Sequence, residues 1–280
     1  MNICVVGLGL IGGSFCKSIS KRTVHSCFGI DVNEDTLKSA IKDGSIKDMI
    51  SPSQLSEMDM TIVCLHPKQT IEFIKNNANK FKTGSIVIDS CGVKGEIVSS
   101  VSDVLKEQGV IFIGCHPMAG REFSGYDFSL EALFDNASFI STPSEDTPRE
   151  IVENLKELMQ AIGFKKFVVT SPQEHDRIIS YTSQLAHIVS SSYIKSPTAQ
   201  QQSGFSAGSF QDLTRVAQLN ENMWTDLFLM NSAPLVTEID TIISHLTEYK
   251  NALVDNNSND LRELLKNGRI LKEKSMTNFQ

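Results

Sequence analysis

Asn2-Ile3-Cys4-Val5-Val6-Gly7-Leu8-Gly9-Leu10-Ile11-Gly12 is an apolar run that ends in three spaced glycines and passes at once into a helical pattern. A short strand, a glycine-rich turn and a helix in direct succession are the setting in which G-x-G-x-x-G binds a dinucleotide. Gly7 permits the tight turn, Gly9 lets the backbone approach a pyrophosphate, and Gly12 lets helix and strand pack closely. Leu8, Leu10 and Ile11 complete the turn, and the unpaired N–H groups of the helix start offer partial positive charge to phosphate. Asp31 closes the next apolar run. A carboxylate there can accept from both ribose hydroxyls and repels a 2′-phosphate, which favours NAD over NADP. The alternatives are a glycine-rich turn with a surface aspartate, or a flavin site.

Outward from this turn, apolar runs at 2–6, 27–30, 60–65, 86–89 and 110–114 alternate with helical patterns at 11–21, 34–43, 69–80 and 95–107. The runs are continuous rather than alternating, as expected for a parallel sheet covered on both faces. Two further strands, 137–141 and 166–169, flank a helix over 148–162 and extend the same sheet. Beyond Ser171 no strand pattern is found, and helices are expected at 172–194, 210–220, 223–248 and 260–273, with a Gln/Ser/Gly-rich loop over 196–209. The expected fold is α/β, an N-terminal doubly wound Rossmann-type parallel sheet followed by an all-α dimerisation domain. The division is placed at residue 170, giving a dinucleotide-binding domain over 1–170 and a helical substrate and dimerisation domain over 171–280. A helical domain of that size often completes its core in a homodimer.

Composition narrows the function classes. The 280 residues carry 26 Lys and Arg against 33 Asp and Glu, a net charge of −7. That argues against a nucleic-acid partner, which needs a basic face. The six cysteines form no CxxC pair, and free thiols in a reducing compartment fit better than a disulfide frame or a metal site. No apolar run reaches the length of a membrane span, and the start lacks the basic region of a signal peptide. A cytoplasmic enzyme without a metal is expected.

In doubly wound sheets the ligand lies beyond the carboxyl ends of the strands. Leu65 and Ser90, in the loops after the third and fourth of the parallel strands, are therefore assigned to the cofactor. His116 lies just past the fifth, in Cys115-His116-Pro117-Met118-Ala119-Gly120, where an imidazole can take an alcohol proton while hydride leaves the same carbon.

Four stretches together carry a resemblance: Gly7–Ser14, His116-Pro117-Met118-Ala119-Gly120, Leu185-Ala186-His187 and Asp212-Leu213-Thr214-Arg215-Val216-Ala217. In order and spacing the chain resembles the prephenate/arogenate dehydrogenases. The resemblance implies NAD-dependent oxidative decarboxylation of prephenate to 4-hydroxyphenylpyruvate in tyrosine biosynthesis. It implies that His116 deprotonates the ring hydroxyl, that Arg215 binds a substrate carboxylate and that Asp212 orients it. His187 and Ser183 would line the substrate pocket, Trp224 would pack on the substrate side chain, and Glu122 would join an ion-pair network at its mouth. Arg121 adds a positive charge that favours a dianionic substrate. The family often has a serine where Gly92 stands and a proline where Ala186 stands.

Among the remaining residues, His66 reads as a helix cap or a cofactor neighbour, Asp176 as a cap or brace for its helix or as a site residue, and Lys94 as a cation facing an anion. Competing readings are an arogenate dehydrogenase, a related Rossmann-plus-helical hydroxyacid dehydrogenase, and an NAD-sensing dimer that does not turn over.

Overall fold

Central strands buried on both faces organise the first part of the molecule. The computed structural model describes residues 1–121 and 123–277. In chain order the elements are β1 (Asn2–Val6), α1 (Leu10–Arg22), β2 (Ser26–Ile30), α2 (Glu34–Lys42), β3 (Asp48–Met49), β4 (Met60–Val63), α3 (Pro67–Asn77), β5 (Ile86–Asp89), α4 (Gly95–Glu107), β6 (Ile111–Pro117), β7 (Ser138–Thr142), α5 (Arg149–Ala161), β8 (Lys166–Val169) and α6 (Pro172–Ile179). They are followed by a π-helical segment at Ser180–Leu185 and by α7 (Ala186–Tyr193), α8 (Gly208–Thr214), α9 (Glu221–Met230), α10 (Ser232–Val254) and α11 (Ser258–Thr277).

The strands form one eight-stranded sheet in the order β3-β2-β1-β4-β5-β6-β7-β8. All neighbours run parallel except β6 and β7. Alternate residues of each strand feed opposite layers. Ile3, Val5, Ile62 and Ile88 join Phe15, Phe134, Phe139 and Phe164 on one side. Cys4, Val6, Val63 and Val87 join Ile97, Val101 and Leu105 on the other. The aromatic side is close-packed, with Phe15 and Phe134 ring centroids 4.5 Å apart and Phe134 and Phe164 4.7 Å apart. All six cysteines are free thiols and five of them are buried.

The chain clusters into two compact units, Met1–Ile179 with Gln218–Asn231, and Ser180–Ala217 with Ser232–Gln280. Helix α9 therefore belongs to the sheet-bearing unit, although it follows the expected division at residue 170. In the second unit α10 and α11 pack on one another but leave Val236, Ile243, Leu246, Leu253, Leu265 and Leu271 exposed.

Three helices differ from the sequence expectation. The single helix expected over 172–194 carries the π-helical segment in its middle. The helix expected over 223–248 is broken at Asn231 (φ −122°). Pro234 cannot donate to the carbonyl of Met230, and its ring crowds that carbonyl, so α9 has to end first. The helix expected over 210–220 stops at Thr214, because Asn220 is extended and accepts from Met223 N–H to start α9. The two-residue strand β3 went unread because it is too short to show a pattern. Among the described residues no helix is long and apolar enough to cross a membrane.

Candidate active site

The turn after β1 has the shape its glycines foretell. Gly7 adopts φ +84°, and a Cβ there would lie 2.7 Å from the Cys64 carbonyl oxygen. A Cβ on Gly12 would lie 1.9 Å from the carbonyl oxygen of Gly7, so helix and turn touch without room for a side chain. A Cβ on Gly9 would meet nothing within 4 Å. The α1 start has no side-chain cap and no acidic residue in its first turn, so its N–H groups and dipole are left for an anion. Asp31 Oδ2 accepts from Leu8 N–H (2.6 Å) and Oδ1 from Asn33 N–H (2.8 Å). The carboxylate is thereby fixed at the end of β2, with a lone pair left on each oxygen for a ribose hydroxyl. Leu10 and Ile11 are partly buried. The Leu65 side chain lies against Gly7, and Ser90 donates its backbone N–H to Val63 (3.2 Å), both at strand ends. The residues fit a dinucleotide pyrophosphate. Gly9→Ala is expected to leave the melting temperature unchanged and to raise the KM for the dinucleotide several-fold. Gly12→Ala should instead lower the melting temperature, read by thermal unfolding beside cofactor titration.

His116 does not sit in a turn past its strand, as expected, but inside β6. Residues up to Ile113 pair parallel with β5, while Gly114–Pro117 pair antiparallel with β7, His116 opposite Ile140. The antiparallel extension carries the imidazole beyond β5 on a two-stranded ladder. Its backbone is gripped from below. Cys115 N–H donates to Asp89 Oδ1 (2.9 Å), and Lys94 Nζ donates to the Cys115 carbonyl (2.7 Å). Lys94 and Asp89 form an ion pair with no exposure on either side chain. The anion that Lys94 faces is thus internal to the fold.

The ring of His116 is held by a chain that the sequence did not suggest. Its Nδ1 lies 3.0 Å from His175 Nε2, and His175 Nδ1 lies 2.7 Å from Asp176 Oδ1. Asp176 does not brace its own helix; its two oxygens accept from Lys94 N–H and Gly95 N–H, each at 2.8 Å, and so cap α4. Asn231, at the end of α9, donates to the Asp176 carbonyl (2.9 Å). Burial, helped by His175 and Lys94, holds His116 well below the ordinary histidine pKa, so the ring is a neutral base at physiological pH. A Cβ on Gly92 would lie 3.9 Å from His116 Nε2 and 3.6 Å from Leu227. The one readable trace of His175 was its place four residues before buried Ile179, on one helix face and next to an acid.

Helix α9 packs on α3 in this same unit, pinned by Lys68 to Asp226 at 2.6 Å. Trp224 and Leu227 lie against the second apolar layer, and the Trp224 ring is 5.2 Å from Phe228. Arg121 is exposed, with its guanidinium 5.7 Å over the Phe123 ring. His66 is the cap residue of α3, without a side-chain cap bond. Glu122 lies outside the described residues. Among those described, no cluster of three or more His, Cys, Asp or Glu could hold a metal ion.

The second unit gathers a different set. His187 Nδ1 bonds the Val216 carbonyl (3.0 Å), which in the neutral ring leaves Nε2 as an acceptor. Burial and the neighbouring Arg215 charge lower the His187 pKa, partly offset by that bond. Arg215 is exposed at the end of α8, Asp212 is exposed one turn earlier, and Ser183 lies in the π-helical segment.

Two family models match the chain. The model for the nucleotide-binding domain of prephenate dehydrogenase matches residues 15–168, and that for its dimerization domain matches residues 171–267. The chain belongs to the prephenate dehydrogenase family. It is 30% identical to the prephenate dehydrogenase of Bacillus subtilis over 95% of this chain and 74% of that protein. A crystal structure of Aquifex aeolicus prephenate dehydrogenase with hydroxyphenyl propionate and NAD+ superposes with a TM-score of 0.85 at 26% identity, covering 98% of each chain. Arogenate dehydrogenase of Synechocystis superposes equally well, with a TM-score of 0.85 at 25% identity, covering 98% of this chain and 100% of that one.

Proposed function

We propose that this protein catalyses the NAD-dependent oxidative decarboxylation of prephenate to 4-hydroxyphenylpyruvate. The observation that carries the reading is His116: a neutral imidazole at the carboxyl end of a sheet whose first turn fits a dinucleotide, in a chain of this family. Bound NAD supplies the hydride acceptor. His116 Nε2 takes the proton of the ring hydroxyl as hydride leaves the same carbon. It holds that proton while the ring loses carbon dioxide, then returns it to the same oxygen, now a phenolate. Overall no proton is gained or lost to solvent.

Arg215 binds a carboxylate of the dianionic substrate, bidentately where geometry allows. Asp212 orients it, His187 and Ser183 offer polar contacts, Trp224 packs on the side chain, and Arg121 adds a positive charge for the dianion. Gly7–Gly12, Asp31, Leu65 and Ser90 hold the cofactor. The bare apolar stripes of α10 and α11 support a homodimer built through the second unit. Six unpaired thiols support a cytoplasmic setting.

A steady-state assay with prephenate and arogenate, each with NAD and NADP, tests the reading. Release of 4-hydroxyphenylpyruvate and carbon dioxide from prephenate is expected; turnover of arogenate alone would reassign the substrate, and no turnover of either would remove the activity. Arg215→Ala should mainly raise the substrate KM, costing on the order of 2–5 kcal/mol of binding; an unaltered KM would place the carboxylate elsewhere. Asp31→Ala should narrow the preference for NAD over NADP, and unchanged cofactor kinetics would contradict the ribose assignment.

A further inference from the structure

A base that acts through Nε2 of a neutral imidazole has to keep its single ring proton on Nδ1. Three side chains in the sheet-bearing unit decide where that proton sits. Asp176 presents only acceptor oxygens to His175, and both oxygens already accept backbone N–H groups of α4. The contact of 2.7 Å therefore needs a proton on His175 Nδ1, and neutral His175 then offers a lone pair at Nε2. Across the next contact, 3.0 Å, His116 Nδ1 has to be the donor. Both bonds are thus donated toward Asp176, and His116 Nε2 is left bare. Gly92 lies on that side and puts no side chain in the way: a Cβ there would lie 3.9 Å from Nε2.

We infer that His175 and Asp176 are positioning residues for the reaction, holding His116 in the tautomer whose Nε2 takes the hydroxyl proton and steadying the imidazolium that results. The inference rests on the reading of His116 as the base. When the substrate O–H bond breaks and the Nε2–H bond forms, His116 becomes a cation that still donates from Nδ1 to His175. That bond strengthens on charging, and the carboxylate of Asp176 lies one ring further on. When the phenolate takes the proton back, the neutral chain is restored. A borrowed proton needs no path to solvent, and the His175 side chain has no exposure. Among the described residues the other charged groups here are Lys94, at the start of α4, and Asp89 of β5, which pairs with it. Lys94 and any charge on His175 oppose a cation on His116, and the Asp176 carboxylate beyond His175 is the anion that offsets them.

Asp176 would be explained as a cap for α4 whether or not it aids catalysis, so His175 is the residue to vary. In full-length protein, His175→Ala is expected to lower kcat by roughly 10–100-fold, as for other orienting partners of a working histidine, with the cofactor dissociation constant unchanged. His175→Gln can accept from His116 Nδ1 through its amide oxygen. It should recover much of the rate, while the acid limb of the kcat profile moves because an amide cannot share the charge. A wild-type kcat and pH profile in His175→Ala, beside lost turnover in His116→Ala, would overturn the inference and keep His116 as base. Full turnover in His116→Ala would end both. Should the alanine variant fail to fold, ¹⁵N spectra of the histidine rings in the wild-type protein with NAD give the answer directly. A proton on Nδ1 of His116 with Nε2 bare supports the inference, and the opposite tautomer overturns it.

Discussion

His116→Ala is expected to lower kcat by roughly 10²–10⁴ while leaving cofactor affinity intact. Removing the imbedded imidazole takes away the only group in the described β6 extension able to receive the hydroxyl proton, so hydride loss would leave a protonated ketone. The backbone of β6 should persist, because Cys115 stays clamped by Asp89 and Lys94 and the pairing with β7 is made by main chain. Cofactor contacts, on the β1 turn and at Asp31, are untouched. In the wild type, burial holds His116 below the ordinary histidine pKa. The neutral base then persists to lower pH than usual, and the acid limb of kcat lies below the value of an exposed histidine. Unchanged turnover in the variant would take His116 out of the mechanism.

Lys94→Met should cost about 3–5 kcal/mol of folding stability, the usual result of breaking a buried ion pair from one side. Asp89 would stay inside, with no exposure, without a cation and still accepting from the N–H groups of Cys91 and Cys115. The Cys115 carbonyl would lose its ammonium donor. Because Cys115 precedes His116, kcat should fall together with stability. Replacing both partners, Asp89→Leu with Lys94→Met, should recover part of the loss, since no unpaired charge remains. Urea unfolding of the three variants measures this. A single variant as stable as the wild type would show that water or a neighbouring group compensates the carboxylate.

The cofactor half of the molecule was legible because its chemistry is local. Gly7, Gly9, Gly12 and Asp31 lie on one strand–turn–helix–strand unit, and each acts through backbone geometry that the residue type itself dictates. Strands β1, β5 and β8 were read to the residue for the same reason: continuous apolar runs bounded by polar turns. His116 was found by its place after a strand, but not its place within one, since the antiparallel return of β7 is a long-range pairing that no local pattern encodes. His175 was passed over and Asp176 was given no partner, because the contact that joins them to His116 spans 59 residues of chain. Helix α9 reads as part of a helical domain, yet it packs on α3; its partner residues Lys68 and Asp226 are 158 positions apart. The break at Asn231, by contrast, was open to reading from Pro234 alone.

Backbone passes from one unit to the other at Ile179, at Ala217 and again at Asn231. Dissection experiments have to respect that weave. A fragment cut after residue 170 would keep every glycine of the nucleotide turn yet forfeit α6 and α9, exposing the α4 terminus that Asp176 covers and the apolar layer beneath Leu227. Such a truncation would be a poor stand-in for the cofactor-binding half, and a graft joining residues 1–179 to 218–231 through a short linker would be the more faithful one.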